Sequence, residues 1–338
     1  MFESRYEWME PGAFEVAPGV HRIPLPLPND GLRAVNVYAI ADGDSLTLVD
    51  GGWALDESRQ QLDAALAQIG AGAGDITRFL VTHAHRDHYT QALTLRREFG
   101  SEVMLGEEER HTLDRLMSPE HRSMDRQLEL LAEHGAKPVR DTLLSLRSDA
   151  PSNHVWEKPD TWINAATDLG LADRRLRALP TPGHTRGHLV FLEEQAGLMF
   201  AGDHVLPHIT PSIGFEQAPT ASPLRDYLAS LWLVRGLPDM RLLPAHGPVT
   251  DSVHDRVDEL LAHHDARLVA TAAVVAAGAS TAYEAARALT WTRRERAFDD
   301  LDVFNQMMAV LETAAHLDVL VLQDELGAQR VGGVLHYS

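Results

Sequence analysis

The stretch Thr82-His83-Ala84-His85-Arg86-Asp87-His88 places three imidazoles and a carboxylate within six positions. The apolar run Phe79-Leu80-Val81 just before it reads as a buried strand. On extended chain, residues i and i+2 point the same way, so His83 and His85 can share one metal ion. Asp87 and His88 follow where a helix is predicted to start near Tyr89, and they point elsewhere, toward a second ion. Histidine is the commonest metal ligand, and a solvated polar loop seldom acquires this spacing by chance.

Four further pieces carry the same residue types. They are Leu48-Val49-Asp50-Gly51-Gly52, Thr181-Pro182-Gly183-His184-Thr185, Ala201-Gly202-Asp203 and Pro244-Ala245-His246-Gly247. Taken together and in this order, they resemble the metallo-β-lactamase superfamily over roughly residues 16–250. The resemblance implies a ligand set. His83, His85 and His184 would take one divalent metal, Asp87, His88 and His246 a second, and Asp203 would bridge them. Such nitrogen and oxygen donors suit zinc as the default, with iron or manganese as alternatives. Asp87 is also a catalytic candidate. His204 and His208, just after Asp203, are candidates to face substrate as hydrogen-bond donor or proton shuttle, and His204 is carried as the catalytic one. Asp50 is expected to hold a ligand histidine, and Thr82 and Thr185 to buttress their loops.

Composition narrows the setting. The 338 residues hold 49 acidic and 30 basic side chains, a net charge of −19, and no cysteine. Thiolate ligands and disulfides are therefore excluded. The acidic balance disfavours nucleic acid and anionic membranes, which need clustered Lys and Arg. The N-terminal ten residues lack a basic start and an apolar core, and no apolar run is long enough to span a bilayer, so a cytoplasmic location is expected.

The elements that must position these residues read as α/β. Strands are predicted at residues 34–40 and 45–49 around an Asp-Gly turn, and at 102–105, 176–179, 189–192, 198–201 and 242–243. Residues 20–27 carry prolines 24 and 26, which suit an edge strand. Helices are predicted at 55–69, 89–99 and 222–234. In the last of these, Tyr227 and Trp232 are expected in the core. The resemblance turns this pattern into an αββα sandwich over residues 1–252. Charged helices at 107–117 and 122–134 mark residues 107–160 as a helical insert, expected to cover the site as a lid, with a loop at Asp149-Ala150-Pro151-Ser152-Asn153. Residues 253–338 read as three helices, at 255–277, 281–290 and 302–324, and a hairpin around Gly332-Gly333. That is a small winged-helix-like domain, similar to the branch of the superfamily with such a tail. Residues 271–338 hold five basic and nine acidic side chains, so packing, covering or self-association as a homodimer is expected of it rather than DNA binding.

The expected function is a metal-dependent hydrolase acting through metal-bound hydroxide on a small molecule. The favoured bond is ester-like: a thioester, a lactone or another carboxylic ester. A phosphodiesterase or ribonuclease of the same fold and an iron-dependent persulfide oxygenase are the alternatives. A non-catalytic binding module fits least, because all seven ligand positions hold competent residues.

Overall fold

Short runs rich in apolar and β-branched residues build two sheets. The first runs in the order β1 (Phe14–Ala17), β2 (Val20–Pro26), β3 (Ala34–Asp42), β4 (Ser45–Val49), β5 (Ile76–Leu80), β6 (Glu102–Gly106), β7 (Thr161–Ile163). The second has β12 (Arg241–Pro244), β11 (Leu198–Gly202), β10 (Leu189–Glu193), β9 (Arg175–Pro180) and β8 (Thr167–Gly170) side by side. The computed structural model describes residues 6–28, 31–122, 124–147, 156–292 and 294–338. The loop expected at Asp149–Asn153, and His154, lie outside them.

The central strands β3, β10 and β11 are buried on both faces. Tyr38 and Ile40 of β3 meet Phe191 of β10 and Phe200 of β11 in one core between the sheets, with the Tyr38 and Phe200 rings edge to face at 5.4 Å. Val35, Val37 and Ala39, on the opposite face of β3, pack with α1 (Asp56–Gln68) and α2 (Arg86–Phe99). On the second sheet, Val190, Leu192, Met199 and Ala201 pack under the later helices α6 (Pro223–Arg235), α7 (Val253–Ala276) and α9 (Val303–Leu322). The result is an αββα sandwich. Phe200 has no exposed surface, so truncating it to Ala would cost about 3–5 kcal/mol.

Three readings need correction. β2 is not the outermost strand, because β1 pairs with it; but β1 covers only Val20–Arg22, so Pro24 and Pro26 still lie where no further strand asks for their amides. α2 begins at Arg86, not near Tyr89. His85 holds the extended cap position and Asp87 lies in the first turn, where a carboxylate meets the positive helix end. Trp232 is 64% exposed, whereas Tyr227 is buried.

The insert contains α3 (Arg110–Leu116), α4 (Asp125–Glu133) and an unforeseen α5 (Lys137–Leu146). Leu128, Leu131, Val139 and Leu143 of this segment pack against Ala282 and Ala286 of α8 (Ala282–Ala288) and Met307, Val310 and Leu311 of α9. The insert and the C-terminal helices thus share one core. The C-terminal segment also carries a hairpin, β13 (Ala328–Val331) and β14 (Val334–Tyr337), joined by Gly332 and Gly333, both at positive φ as a two-residue turn requires. Caps follow the sequence signals: Ser252, Thr281 and Asp302 accept from amides of α7, α8 and α9, each cap stabilising by about 1 kcal/mol. Among the described residues, no helix is long and apolar enough to cross a membrane.

Candidate metal centre

The carboxyl ends of β4, β5, β9, β11 and β12 lead into Asp50, residues 82–85, His184, Asp203 and His246. The first turn of α2 adds Asp87 and His88. All seven expected ligands are brought together in two groups. His83, His85, His184 and Asp203 each offer a donor atom within 4.8 Å of the others, and so do Asp87, His88 and His246.

Asp203 faces both groups. Its Oδ2 lies 3.4 Å from His184 Nε2 and 4.0 Å from His83 Nε2. Its Oδ1 lies 3.7 Å from His88 Nε2 and 3.4 Å from His246 Nε2. Asp87 Oδ2 lies 3.6 Å and 3.5 Å from those same two nitrogens. His85 turns Nδ1 inward, 2.9 Å from His83 Nε2 and 3.2 Å from His184 Nε2.

The hydrogen bonds fix the ring protons. His184 Nδ1 donates to the Ser212 carbonyl at 2.7 Å, His246 Nδ1 to the Ala34 carbonyl at 2.8 Å, and His88 Nδ1 to Asp50 Oδ2 at 2.8 Å. Carbonyls and carboxylates only accept, so each ring keeps its proton on Nδ1 and aims the Nε2 lone pair inward. Thr82 donates its hydroxyl to Asp50 at 3.0 Å, which leaves its oxygen to accept from His83 Nδ1 at 3.0 Å. Asp50 thus holds the backbone amide of Thr82, its hydroxyl and His88 together, from a left-handed conformation (φ +62°).

Lone pairs converging without protons between them call for a cation. His88 Nε2, His246 Nε2 and Asp203 Oδ1 are buried and make no hydrogen bond among the described residues. An unpaired buried acceptor costs about 1–3 kcal/mol, so three in one place are explained by an ion rather than by packing. Burial, reinforced by neighbouring imidazoles, depresses His83 far below its ordinary pKa and His85 to about 3. Burial would raise Asp203 and Asp87, but the surrounding imidazoles outweigh it and hold both carboxyls low. At His88 burial is overcome by Asp50, Asp87 and Asp203, which push the ring up to about 10; this half of the site is strongly negative, and without an ion a second proton on His88 takes up that charge, the place a divalent ion would fill. Neutral imidazoles and ionised carboxylates are the forms that bind divalent ions.

His204 lies outside both groups. It is fully buried, its ring 5.3 Å from Tyr227 and 6.1 Å from His188, and neither ring nitrogen makes a hydrogen bond among the described residues. Burial depresses it to about 3. A proton shuttle needs a path to substrate, and the Tyr227 ring, whose hydroxyl donates to the His204 carbonyl, covers this one. His208 is exposed.

Supporting residues appear that the sequence reading passed over. His188 accepts the Asp203 amide on Nε2 at 3.1 Å and binds the Thr181 hydroxyl through Nδ1 at 3.0 Å. Its ring stacks on His83 at 5.1 Å. The spacing His184-x-x-x-His188 in one loop was the available signal. Glu109, fully buried at the start of the insert, accepts from the Ala84 amide at 3.3 Å, the Gly187 amide at 3.1 Å and the Thr185 hydroxyl. It ties the His83–His85 loop to the His184 loop. Asn36 Nδ2 donates to the carbonyls of Pro244 and Gly247 at 3.0 Å and 2.8 Å, bracketing His246. Replacing His188 with Phe should keep the volume and remove both polar contacts. Metal affinity, read by competition with a chromogenic chelator, is expected to fall about 10–100-fold, and unaltered affinity would refute the supporting role.

The comparisons with known proteins follow this geometry. The family profile described as the metallo-beta-lactamase superfamily matches residues 30–246. The probable metallo-hydrolase YqjP of Bacillus subtilis is 26% identical, covering 94% of this chain and 96% of its own length. The lactamase-like protein nscB of Neosartorya fischeri is 27% identical over 70% of this chain, which spans 55% of that relative's length. Among solved structures, a metallo-beta-lactamase family protein from Thermus thermophilus is 29% identical with a TM-score of 0.76, covering 96% of this chain and 99% of the other. A beta-lactamase domain protein from Burkholderia ambifaria is 27% identical with a TM-score of 0.77, covering 96% and 93%.

Proposed function

This chain belongs to the metallo-β-lactamase superfamily and is an enzyme of its metallo-hydrolase class, and from that premise we propose that it is a dinuclear hydrolase of an ester-like bond in a small molecule. One observation carries the reading: the two carboxylate oxygens of Asp203 address different ligand groups. In this proposal His83, His85 and His184 hold one divalent cation, Asp87, His88 and His246 hold the other, and Asp203 holds both. Zinc is the favoured ion, with iron and manganese accepting the same donors. When bound, such ions supply Lewis acidity and bring the pKa of water down to about 7.

The chain's own residues do the rest. Ser212 and Ala34 keep His184 and His246 in one tautomer with the inward nitrogen free of a proton, while Asp50 orients His88, whose inward nitrogen an ion would occupy in place of a proton. Asp87 and His85 are the partly exposed members of the set, which places the open side of the site next to them. Asp87, held ionised by His88 and His246, is positioned on that side to accept a proton or orient a water molecule. Phe215 lies 5.9 Å from His85 and offers an apolar wall for an acyl group. The net charge of −19 argues against RNA or another polyanion, and the absence of cysteine agrees with a reaction that needs no protein nucleophile.

A panel of thioesters, lactones, simple esters, phosphodiesters and short RNA, assayed beside metal analysis, tests this. Turnover of at least one carboxylic ester or thioester and a bound transition metal are expected. Cleavage confined to phosphodiesters, or iron with oxygen uptake on a persulfide, would replace the reading. Stripping the ions with a chelator should remove activity, and zinc added back should restore it. Activity that survives complete removal, verified by elemental analysis, would sink it.

A further inference from the structure

We propose that His264, Glu312 and His316 form a further site, for a zinc-class divalent cation, that clamps α7 to α9. Glu312 and His316 are spaced i, i+4 on α9, so both face the same side. His264 meets them from α7. One donor atom from each lies within 4.8 Å of the others. His264 and His316 are fully buried, while the Glu312 side chain keeps 19% exposure and leaves an edge by which an ion can enter.

The ring nitrogens repeat a signature of the main centre. His264 Nδ1 lies 3.1 Å from His316 Nε2, and the inward nitrogens of the main centre lie 2.9 Å and 3.2 Å apart. His316 Nδ1 donates to the Glu312 carbonyl at 2.8 Å, so its Nε2 carries a lone pair. If the His264 proton sits on Nδ1, the lone pair of Nε2 is buried without a hydrogen bond among the described residues. If it sits on Nε2, two lone pairs face each other across 3.1 Å, as they would about a shared cation. Burial keeps both rings neutral, which is the ligating form. Arg267 lies near enough to favour the charge on Glu312 but forms no salt bridge with it among the described residues, directing its guanidinium instead to the Thr290 carbonyl at 2.9 Å and the Trp291 ring at 4.0 Å. Two imidazoles and a carboxylate suit zinc and its first-row neighbours.

Such an ion would also brace the main centre. Leu311, beside Glu312, packs so closely on Gly214 that a Cβ there would come within 2.5 Å. The Ile213 amide bonds Glu312, and the preceding Ser212 carbonyl holds His184.

The test is zinc content per chain of the full-length protein, after dialysis against zinc, with cobalt absorption as a second readout. His316→Gln and Glu312→Gln should each load one equivalent fewer than the parent and lose one component of the cobalt spectrum. A protein with the main centre disabled by His83→Ala and His88→Ala should retain an equivalent that His316→Gln removes. Parent-like loading and spectra in His316→Gln and Glu312→Gln would overturn the site whatever the fate of the main centre. If His316→Gln fails to fold, Glu312→Gln decides alone.

Discussion

Asp203→Asn is expected to lower turnover on the enzyme's best substrate by on the order of 10³-fold or more, and to lower bound metal with it. The change keeps the side chain's shape and removes one negative charge. That charge sits within 3.4–4.0 Å of inward nitrogens from both ligand groups. A unit charge pair at about 4 Å is worth about 4 kcal/mol at an effective dielectric of 20, which is about 10³-fold in affinity, and doubly charged ions feel more. The amide would also bring an N–H donor into a pocket of lone pairs, where a donor satisfies one ring nitrogen and excludes the ion. Elemental analysis of the dialysed variant beside steady-state rates decides the matter. Full metal content with near-parental turnover would end the bridging assignment, and with it the reading of the two groups as one centre.

The residues that gather in the two groups were legible because their signal is local: residue type and spacing within short loops at the ends of apolar strands. What was not legible depends on distance along the chain. Glu109 reaches Thr185 across 76 positions, and Asn36 reaches Gly247 across 211. Neither pairing leaves a pattern in a single sequence, and both residue types are common on surfaces. His204 shows the opposite error, where adjacency to Asp203 suggested proximity to substrate. Successive residues after a strand diverge, and Tyr227 from α6 covers the ring. Element patterning alone read as α/β, and the sandwich came from the resemblance. The merging of insert and C-terminal helices came from neither, since an apolar stripe on a helix does not name its partner. Leu128 and Leu131 point at α8 and α9 only once the chain has folded.

Gly187→Ala is expected to lower the thermal midpoint by roughly 10 °C, whereas Gly170→Ala leaves it within about 2 °C. Gly170 lies in β8 with ordinary backbone angles and open space where a Cβ would go. At Gly187 a Cβ would collide with the Glu109 amide nitrogen and stand 2.7 Å from Glu109 Cγ and 2.9 Å from the Glu108 carbonyl carbon. Backbone is what stands in the way, so no rotamer change relieves the contact. Either the insert or the His184 loop must move, at about 1–3 kcal/mol for overpacking. The movement also pulls Glu109 from the Gly187 amide and the Thr185 hydroxyl, and a buried carboxylate that loses such donors costs about 1–3 kcal/mol more. Glu109 has no exposed surface, so water cannot replace the lost donors; burial and Glu216 push its carboxyl up to about 8, and the neutral acid it favours near pH 7 puts the cost at the lower end of that range. Because Glu109 also binds the amide of Ala84, between His83 and His85, the displacement should reach the ligands. Metal retention should therefore fall in Gly187→Ala and not in Gly170→Ala. Equal midpoints for the two variants would show that the insert is not fastened to the centre through this contact.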